Sequence, residues 1–105
     1  MPTRITLVAI LTVRKEAIEK FRAFESHAAG VMKNYGGRIE RTVVLLPDGS
    51  PDVIKEVHIV TFPTEEAFAA YRQDEELARA ADLRNQSVVH TELLVGVDGP
   101  TYVAA

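Results

Sequence analysis

The sequence predicts an α+β fold with the element order βαββαβ, in a single domain spanning residues 1–105. Two observations carry this prediction. First, two long segments have apolar residues at helical spacing. Second, within residues 54–71 a run rich in β-branched residues is followed by a single proline and then by the second of these segments. Because a strand that enters an amphipathic helix directly is half of a crossover, a further strand parallel to it is expected downstream.

The first strand and the first helix come from residues 5–34. Residues 5–13 are apolar at nearly every position, which predicts a central strand covered on both faces. Residues 14–34 have the spacing of one buried helical stripe, with charged residues opposite. The stripe consists of Ile18, Phe21, Phe24, Ala28 and Met32. Gly36 and Gly37 are expected to end this helix, because glycine readily takes the left-handed C-cap conformation.

A hairpin follows the first helix. Residues 38–46 and 54–62 read as the second and third strands. The cluster between them, residues 47–52, contains proline, glycine, serine and aspartate, which are typical of turns.

The second helical region begins after Pro63, which ends the third strand. Thr64 is the expected N-cap of a helix over residues 64–72, and Asp74 that of a further segment over residues 75–83. Residues 87–97 form the last predicted strand. This order is the ferredoxin-like arrangement, a four-stranded antiparallel sheet with the helices on one face.

The other face of the sheet is also predicted to be apolar. Its expected residues are Val8, Ile10, Val44, Leu46, Val57, Ile59, Leu93 and Val95. Each such side chain left in water forfeits roughly 1.5–3 kcal/mol as an upper bound. Because an exposed apolar patch of this size is typical of an interface, we expect a symmetric homodimer that packs two sheets face to face, a dimeric α/β barrel.

Composition narrows the functional classes. The chain has no cysteine, which excludes thiol catalysis and thiolate metal sites and fits a cytoplasmic location. The net charge of −3 argues against a nucleic-acid partner. The N-terminal apolar run of about nine residues is too short to span a membrane, so no membrane association is expected.

Glu56 and His58 are the candidate catalytic residues. They are two positions apart on the third strand, so they share a face with Phe62 and are expected to point into a pocket under the helices. A carboxylate beside an imidazole can orient the ring and make it a general base. The alternative is a buried polar pair that satisfies itself, or Glu56 paired with Arg38 or Arg41.

Five further residues are candidate ligand contacts. Arg38 and Arg84 carry guanidinium groups that could bind a carboxylate in bidentate fashion. Tyr71, Phe62 and Phe24 are the aromatic candidates. His90 and Glu92 repeat the spacing of the catalytic pair, but no pattern brings the two pairs to one point. We therefore expect no metal site and no cofactor.

Several motifs carry a resemblance to known proteins. YGGRI at residues 35–39, VHIVTFPTEEAFAAY at 57–71, LR at 83–84 and VDG at 97–99 resemble the domain-of-unknown-function 1330 family. More broadly they resemble the dimeric α/β-barrel superfamily of antibiotic-biosynthesis monooxygenases, polyketide cyclases and stress-responsive barrel proteins. The likeness covers about residues 5–99. It implies a ligand pocket between the helices and the sheet of each subunit.

Two functional hypotheses fit the sequence. In the first, the chain is a cofactor-independent enzyme, monooxygenase-like or cyclase/isomerase-like, acting on a small aromatic or polyketide-like compound. His58 would then be the base, with Glu56, Tyr71 and Arg84 orienting the reactants. In the second, the chain is a non-catalytic ligand-binding or stress-related dimeric module, in which Glu56 and His58 are fully paired within the protein.

Overall fold

The computed structural model describes residues 3–104 and shows the predicted order of elements. Strand β1 (Ile5–Arg14) leads through a 3-10 turn into helix α1 (Ile18–Lys33), and strands β2 (Arg38–Val44) and β3 (Val53–Phe62) form the hairpin. Then come the helices α2 (Glu65–Arg72), α3 (Glu75–Arg79) and α4 (Ala81–Ser87), followed by strand β4 (Val88–Gly96). The predicted segment 75–83 is thus two short helices, separated at Ala80.

The sheet has the order β2-β3-β1-β4, and every neighbouring pair is antiparallel. The ferredoxin-like arrangement is therefore confirmed, as is the central position of β1. No helix among the described residues has the length and apolar character needed to cross a membrane.

The core lies between the sheet and the helices. Leu11 and Val13 of β1 pack with Phe21 of α1, and a second cluster joins Leu7 and Phe62 to the apolar side of α2. Both predicted helix caps are present: Thr64 Oγ1 accepts from the Ala67 N–H at 3.0 Å, and Asp74 Oδ1 accepts from the Glu76 N–H at 2.7 Å. These caps satisfy backbone donors that the first turn of a helix leaves unpaired.

The turn after α1 needs both of its glycines. Gly36 has a φ of +74°, a conformation that other L-residues rarely adopt. At Gly37 a Cβ atom would lie 2.4 Å from Cε1 of Phe62 and 2.6 Å from Cγ of Met32. The chain can therefore pass from α1 into β2 over the aromatic core only where it carries no side chain.

The outer face of the sheet differs from the prediction in its edge strands. Val8 is opposite Ile59 and Ile10 is opposite Val57, so the two central strands have the predicted phase. In β2 a register shift between Ile39 and Arg41 adds one residue. The outward residues are consequently Val43 and Leu45, and the predicted Val44 and Leu46 were wrong.

The last strand is also in the opposite phase. Leu94 lies opposite Val8 on the outer face and is 51% exposed. Leu93 and Val95, which were predicted to face outward, are opposite Ala9 and Leu7 and lie on the helix side. The outer face keeps an apolar centre, to which Leu94 contributes, but Glu92 opposite Ile10 and Arg41 opposite Ile59 also lie on this face. The molecule measures only 17 Å along its shortest axis.

Candidate functional site

Glu56 and His58 are buried on the helix side of β3. The Glu56 side chain is 2% exposed and accepts two hydrogen bonds, from Arg22 Nη1 at 2.5 Å and from His58 Nε2 at 2.8 Å. The Phe21 ring stacks near the imidazole, with ring centroids 6.3 Å apart, and the Arg22 guanidinium lies 5.6 Å from the centroid of Phe21. The arginine partner of Glu56 is thus Arg22 of α1, and not Arg38 or Arg41 of β2 as the sequence alternative had it.

These contacts fix the imidazole tautomer. An ionised carboxylate can only accept hydrogen bonds, so His58 Nε2 carries a hydrogen whether the ring is neutral or charged. In the neutral ring the lone pair is then on Nδ1, which lies on the side of Glu25. Glu56, itself held by Arg22, therefore orients the His58 ring through Nε2, and Nδ1 is the nitrogen available for proton transfer.

Glu25 of α1 is the second acidic group beside His58. Its Oε2 lies 3.6 Å from His58 Nδ1, and its side chain is 17% exposed. Burial raises the pKa of the Glu25 carboxyl, and the neighbouring Glu56 adds to this; the charges of His58, Arg84 and Arg22 act in the opposite direction.

A cavity of about 130 Å³ lies next to this pair, between the sheet and the helices. Its sheet side is formed mainly by Leu7, Ala9, Leu11, His58, Val60 and Phe62. Its helix side is formed by Glu25, Met32, Phe68 and Tyr71. Glu56 does not line the cavity, because it lies behind His58 and under Arg22. The walls are apolar except at the end where Glu25 and His58 meet and at the tyrosine.

Tyr71 closes the aromatic side of the cavity. Its ring centroid is 5.3 Å from that of Phe62 and 6.5 Å from that of Phe68. Burial, assisted by the charge of Glu25 and opposed by that of Arg84, raises the pKa of Tyr71 to about 12. The hydroxyl is therefore a hydrogen-bond donor throughout the physiological range.

The structure brings four of the seven predicted residues into one cluster, three of which line the cavity, and leaves the other three residues out of this cluster. His58, Glu56, Phe62 and Tyr71 belong to one cluster. Arg84 is adjacent, where its Nη2 donates to Thr91 Oγ1 at 2.8 Å while its charge acts on Glu25 and Tyr71.

Phe24 and Arg38 do not reach the cavity, which corrects their predicted placement. Phe24 packs between α1, α3 and α4, in a cluster with Ala28 and Ala80. Arg38 begins β2 opposite Thr61 on the outer face, and its side chain is 73% exposed. Among residues 3–104 no group of three or more histidine, aspartate or glutamate side chains is arranged so that it could hold a metal ion.

Sequence reasoning missed Arg22 and Glu25. Glu25 follows Phe24 directly and is four residues after Phe21, so it is an acidic residue at the border of a buried stripe, and that was the available signal. Arg22 carries no such signal, because its position is on the exposed side of α1 and only the length of its side chain lets it reach Glu56.

Comparisons with known proteins place the chain by its fold. No protein-family model matches the sequence, and no curated protein matches it. Many solved structures do match. A protein of unknown function from Rhodopseudomonas palustris is 17% identical, with 96% of this chain and 86% of that chain covered and a TM-score of 0.79.

Two other matching structures belong to proteins with a stated activity or oligomeric state. SnoaB, a cofactor-independent oxygenase from Streptomyces nogalater, is 15% identical over 94% of this chain and 96% of that chain, with a TM-score of 0.68. A dimeric protein of unknown function and ferredoxin-like fold from Bacteroides fragilis is 10% identical over 90% and 96%, with a TM-score of 0.63. Other matching chains are provisionally assigned to the antibiotic biosynthesis monooxygenases.

These likenesses show the fold alone. The chain has the ferredoxin-like α+β fold of antibiotic-biosynthesis-monooxygenase-type proteins. Membership of the domain-of-unknown-function 1330 family stays a prediction, since no family model matches. At these identities a shared fold does not transfer an activity.

Proposed function

We propose that this protein binds a small aromatic or related cyclic molecule in the cavity under its helices and that His58 acts there as a general base in a cofactor-independent reaction. The supporting observation is the orientation of one side chain. Glu56 and Arg22 hold His58 Nε2 as a donor, which leaves Nδ1 on the side of a partly open, mainly apolar cavity.

The chemistry that this arrangement can perform is proton abstraction. His58 Nδ1 takes a proton from an acidic O–H or C–H bond of the ligand, and the electron pair of that bond stays on the ligand as an anion. The imidazolium that forms is stabilised by the Glu56 carboxylate at 2.8 Å. An oxygenation by dissolved dioxygen and a cyclisation or isomerisation can both begin from such an anion. SnoaB, which shares the fold, is described as a cofactor-independent oxygenase.

The size of the cavity restricts the substrate class. An engineered protein cavity of about 150 Å³ accommodates benzene. The present cavity is partly open, and its volume of about 130 Å³ accommodates about one six-membered ring between the sheet and the helices. Within the predicted class of aromatic or polyketide-like compounds, this favours single-ring molecules over fused polycyclic ones.

We also propose that the chain is a homodimer joined through the outer face of its sheet. Val8, Ile10, Val57, Ile59 and Leu94 lie on that face, on three strands. The helices cover only the opposite face of the sheet, and the molecule is 17 Å along its shortest axis. Fully burying an exposed side chain of this kind is worth on the order of 1.5–3 kcal/mol; Val8, Ile10, Val57 and Ile59 are already partly buried and gain only a part of this, whereas Leu94 is 51% exposed. A second copy of the same apolar face is a self-complementary cover, and the Bacteroides fragilis neighbour is described as dimeric.

A non-catalytic binding protein is the second candidate, and one observation favours it. No buried side-chain nitrogen or oxygen in the described part of the chain lacks a hydrogen-bond partner. Glu56 in particular is satisfied by Arg22 and His58 without any ligand. Such internal pairing is what a purely structural polar pair requires.

Hydrogen–deuterium exchange at carbon separates the two candidates. Cyclohexanone is a single ring with acidic C–H bonds next to its carbonyl, and deuterium uptake at those carbons in D2O is measured by NMR. We expect the wild type to accelerate uptake by roughly 10²-fold or more over buffer. His58→Gln removes the base, and Ala9→Leu fills the cavity opposite His58, so both should abolish the acceleration. Glu19→Gln, on the exposed side of α1, is the control.

Two outcomes count against catalysis. If His58→Gln accelerates exchange as the wild type does, His58 is not the base. If cyclohexanone binds to the wild type and not to Ala9→Leu, yet exchange stays at the buffer rate, the protein is a binding module and the second candidate replaces the first.

A further inference from the structure

Two polar groups at one end of the cavity have hydrogen-bonding capacity that the protein leaves unused. Glu25 Oε2 and His58 Nδ1 are 3.6 Å apart, which is longer than a hydrogen bond. Among residues 3–104 the Glu25 carboxyl forms no side-chain hydrogen bond, and the second imidazole nitrogen is the one that bonds Glu56. Both residues line the cavity.

The two groups are complementary to each other in hydrogen bonding. A protonated Glu25 carboxyl is a donor, and burial shifts the pKa of this group upward, in the direction of that form. The neutral His58 ring has its lone pair on Nδ1 and is an acceptor there, because Nε2–H is held by Glu56. With Glu25 protonated, one donor and one acceptor line the same small space, 3.6 Å apart.

We propose that Glu25 and His58 jointly bind a single hydroxyl oxygen of the ligand, and that the site selects a neutral, single-ring phenol or cyclic enol. This inference rests on the proposed function and names the substrate class and a second binding residue for the same site. The ligand hydroxyl donates to His58 Nδ1, while its oxygen accepts from Glu25.

The distances permit this bridge. An oxygen can lie about 2.8 Å from both atoms, a normal hydrogen-bond length, when the two are 3.6 Å apart. The ring of the ligand then extends into the apolar part of the cavity, against Leu7, Met32 and Phe62. The hydroxyl that binds is also the group whose proton His58 can remove, so binding and proton transfer use the same contact.

The site is expected to disfavour anionic analogues of phenol, because the residues that line the cavity in the described part of the chain offer no free positive charge. A ring carboxylate such as benzoate would place a negative charge in an apolar pocket, with the Glu56 carboxylate bound to the other nitrogen of His58. Burying an unpaired charge costs far more than burying a hydroxyl that is hydrogen-bonded. Arg22 already pairs with Glu56, and Arg84 does not line the cavity, so neither guanidinium is positioned to neutralise the ligand.

Binding of phenol, toluene and benzoate tests the selectivity. Phenol and toluene have nearly the same size and differ in the hydroxyl, so their ratio of dissociation constants isolates the polar contact. By NMR titration we expect the wild type to bind phenol about tenfold more tightly than toluene, the equivalent of one net hydrogen bond, and to bind benzoate more weakly than phenol.

Variants of Glu25 test whether this residue causes the preference for phenol over toluene. Glu25→Leu should lower the ratio of phenol to toluene affinity, because only the hydrogen bond to His58 Nδ1 remains, while toluene still binds. Glu25→Gln should preserve part of the preference, because its amide N–H can donate to the phenol oxygen. Glu19→Gln on the same helix should behave as the wild type.

The outcomes separate this inference from the proposed function. If Ala9→Leu abolishes binding of both ligands but Glu25→Leu leaves the preference for phenol unchanged, the role of Glu25 is refuted and the cavity site stands. If benzoate binds as tightly as phenol, the neutral ligand class is refuted. If neither phenol nor toluene binds to the wild type, both the inference and the cavity as a single-ring site are refuted.

Discussion

The Arg22→Met variant measures how strongly the buried Glu56 carboxylate depends on its partner. Removing one partner of a fully buried ion pair costs roughly 3–5 kcal/mol, whereas exposed pairs contribute about 0–1 kcal/mol. Glu56 is 2% exposed, Arg22 is 49% exposed, and His58 remains as a second donor to Glu56. We therefore expect the free energy of unfolding to fall by about 2 kcal/mol, between these two limits.

The assay is urea unfolding at neutral pH, in which the midpoint should fall without a change in slope. Arg79→Met is a matched control. Its guanidinium is also 2.5 Å from a carboxylate, that of Glu76, but both side chains are more than half exposed. We expect a change within about 0.5 kcal/mol for this control.

A double variant locates the cause of the loss. In Arg22→Met with Glu56→Gln the buried charge is gone, and about 1 kcal/mol of the loss should be recovered, since an unpaired amide costs less than an unpaired carboxylate. If Arg22→Met is as stable as Arg79→Met, or if the double variant is no more stable than Arg22→Met, the carboxylate does not depend on Arg22.

Three further predictions concern the turn, the acidic group and the outer face. Gly37→Ala should lower the free energy of unfolding by about 1–3 kcal/mol in urea unfolding, because the new methyl overlaps Phe62 and Met32; an unchanged midpoint would contradict this. Because burial raises the pKa of Glu25 above 4.5, its contribution to stability is fully present below pH 4.5 and is lost as pH rises through the raised pKa. The wild type should thus lose stability relative to Glu25→Gln over this window in pH-dependent unfolding, and parallel curves would refute it. In sedimentation at micromolar concentration the wild type should be a dimer and Val8→Asp a monomer, whereas a monomeric wild type would exclude the proposed interface.

The central part of the fold could be predicted from the sequence because its signals are local. The apolar run of β1, the proline that ends β3 and the caps Thr64 and Asp74 each act on their own neighbours. The phase of the edge strands could not be predicted. Residues 43–46 and 93–95 are apolar at every position, so either alternation fits, and the register shift between Ile39 and Arg41 depends on pairing with β3.

Only the part of the candidate site that depends on local strand geometry could be predicted from the sequence. His58 and Glu56 follow from strand alternation, and the register of Ala9 opposite His58 places them under the helices as expected. Arg22 and Glu25 depend on how α1 lies across the sheet, which is a tertiary contact that helical periodicity does not specify. Arg38 was misplaced because the outward direction of the first residue of β2 is set by pairing with Thr61.

The nitrogen chemical shifts of the His58 ring test the central claim most directly. In 15N-labelled protein, with His58→Gln used to assign the signal among three histidines, the neutral ring should show a protonated Nε2 and an unprotonated Nδ1. Added phenol should then shift Nδ1 and leave Nε2 nearly unchanged. A ring with its hydrogen on Nδ1, or a phenol response confined to Nε2, would contradict the orientation on which the proposed site depends.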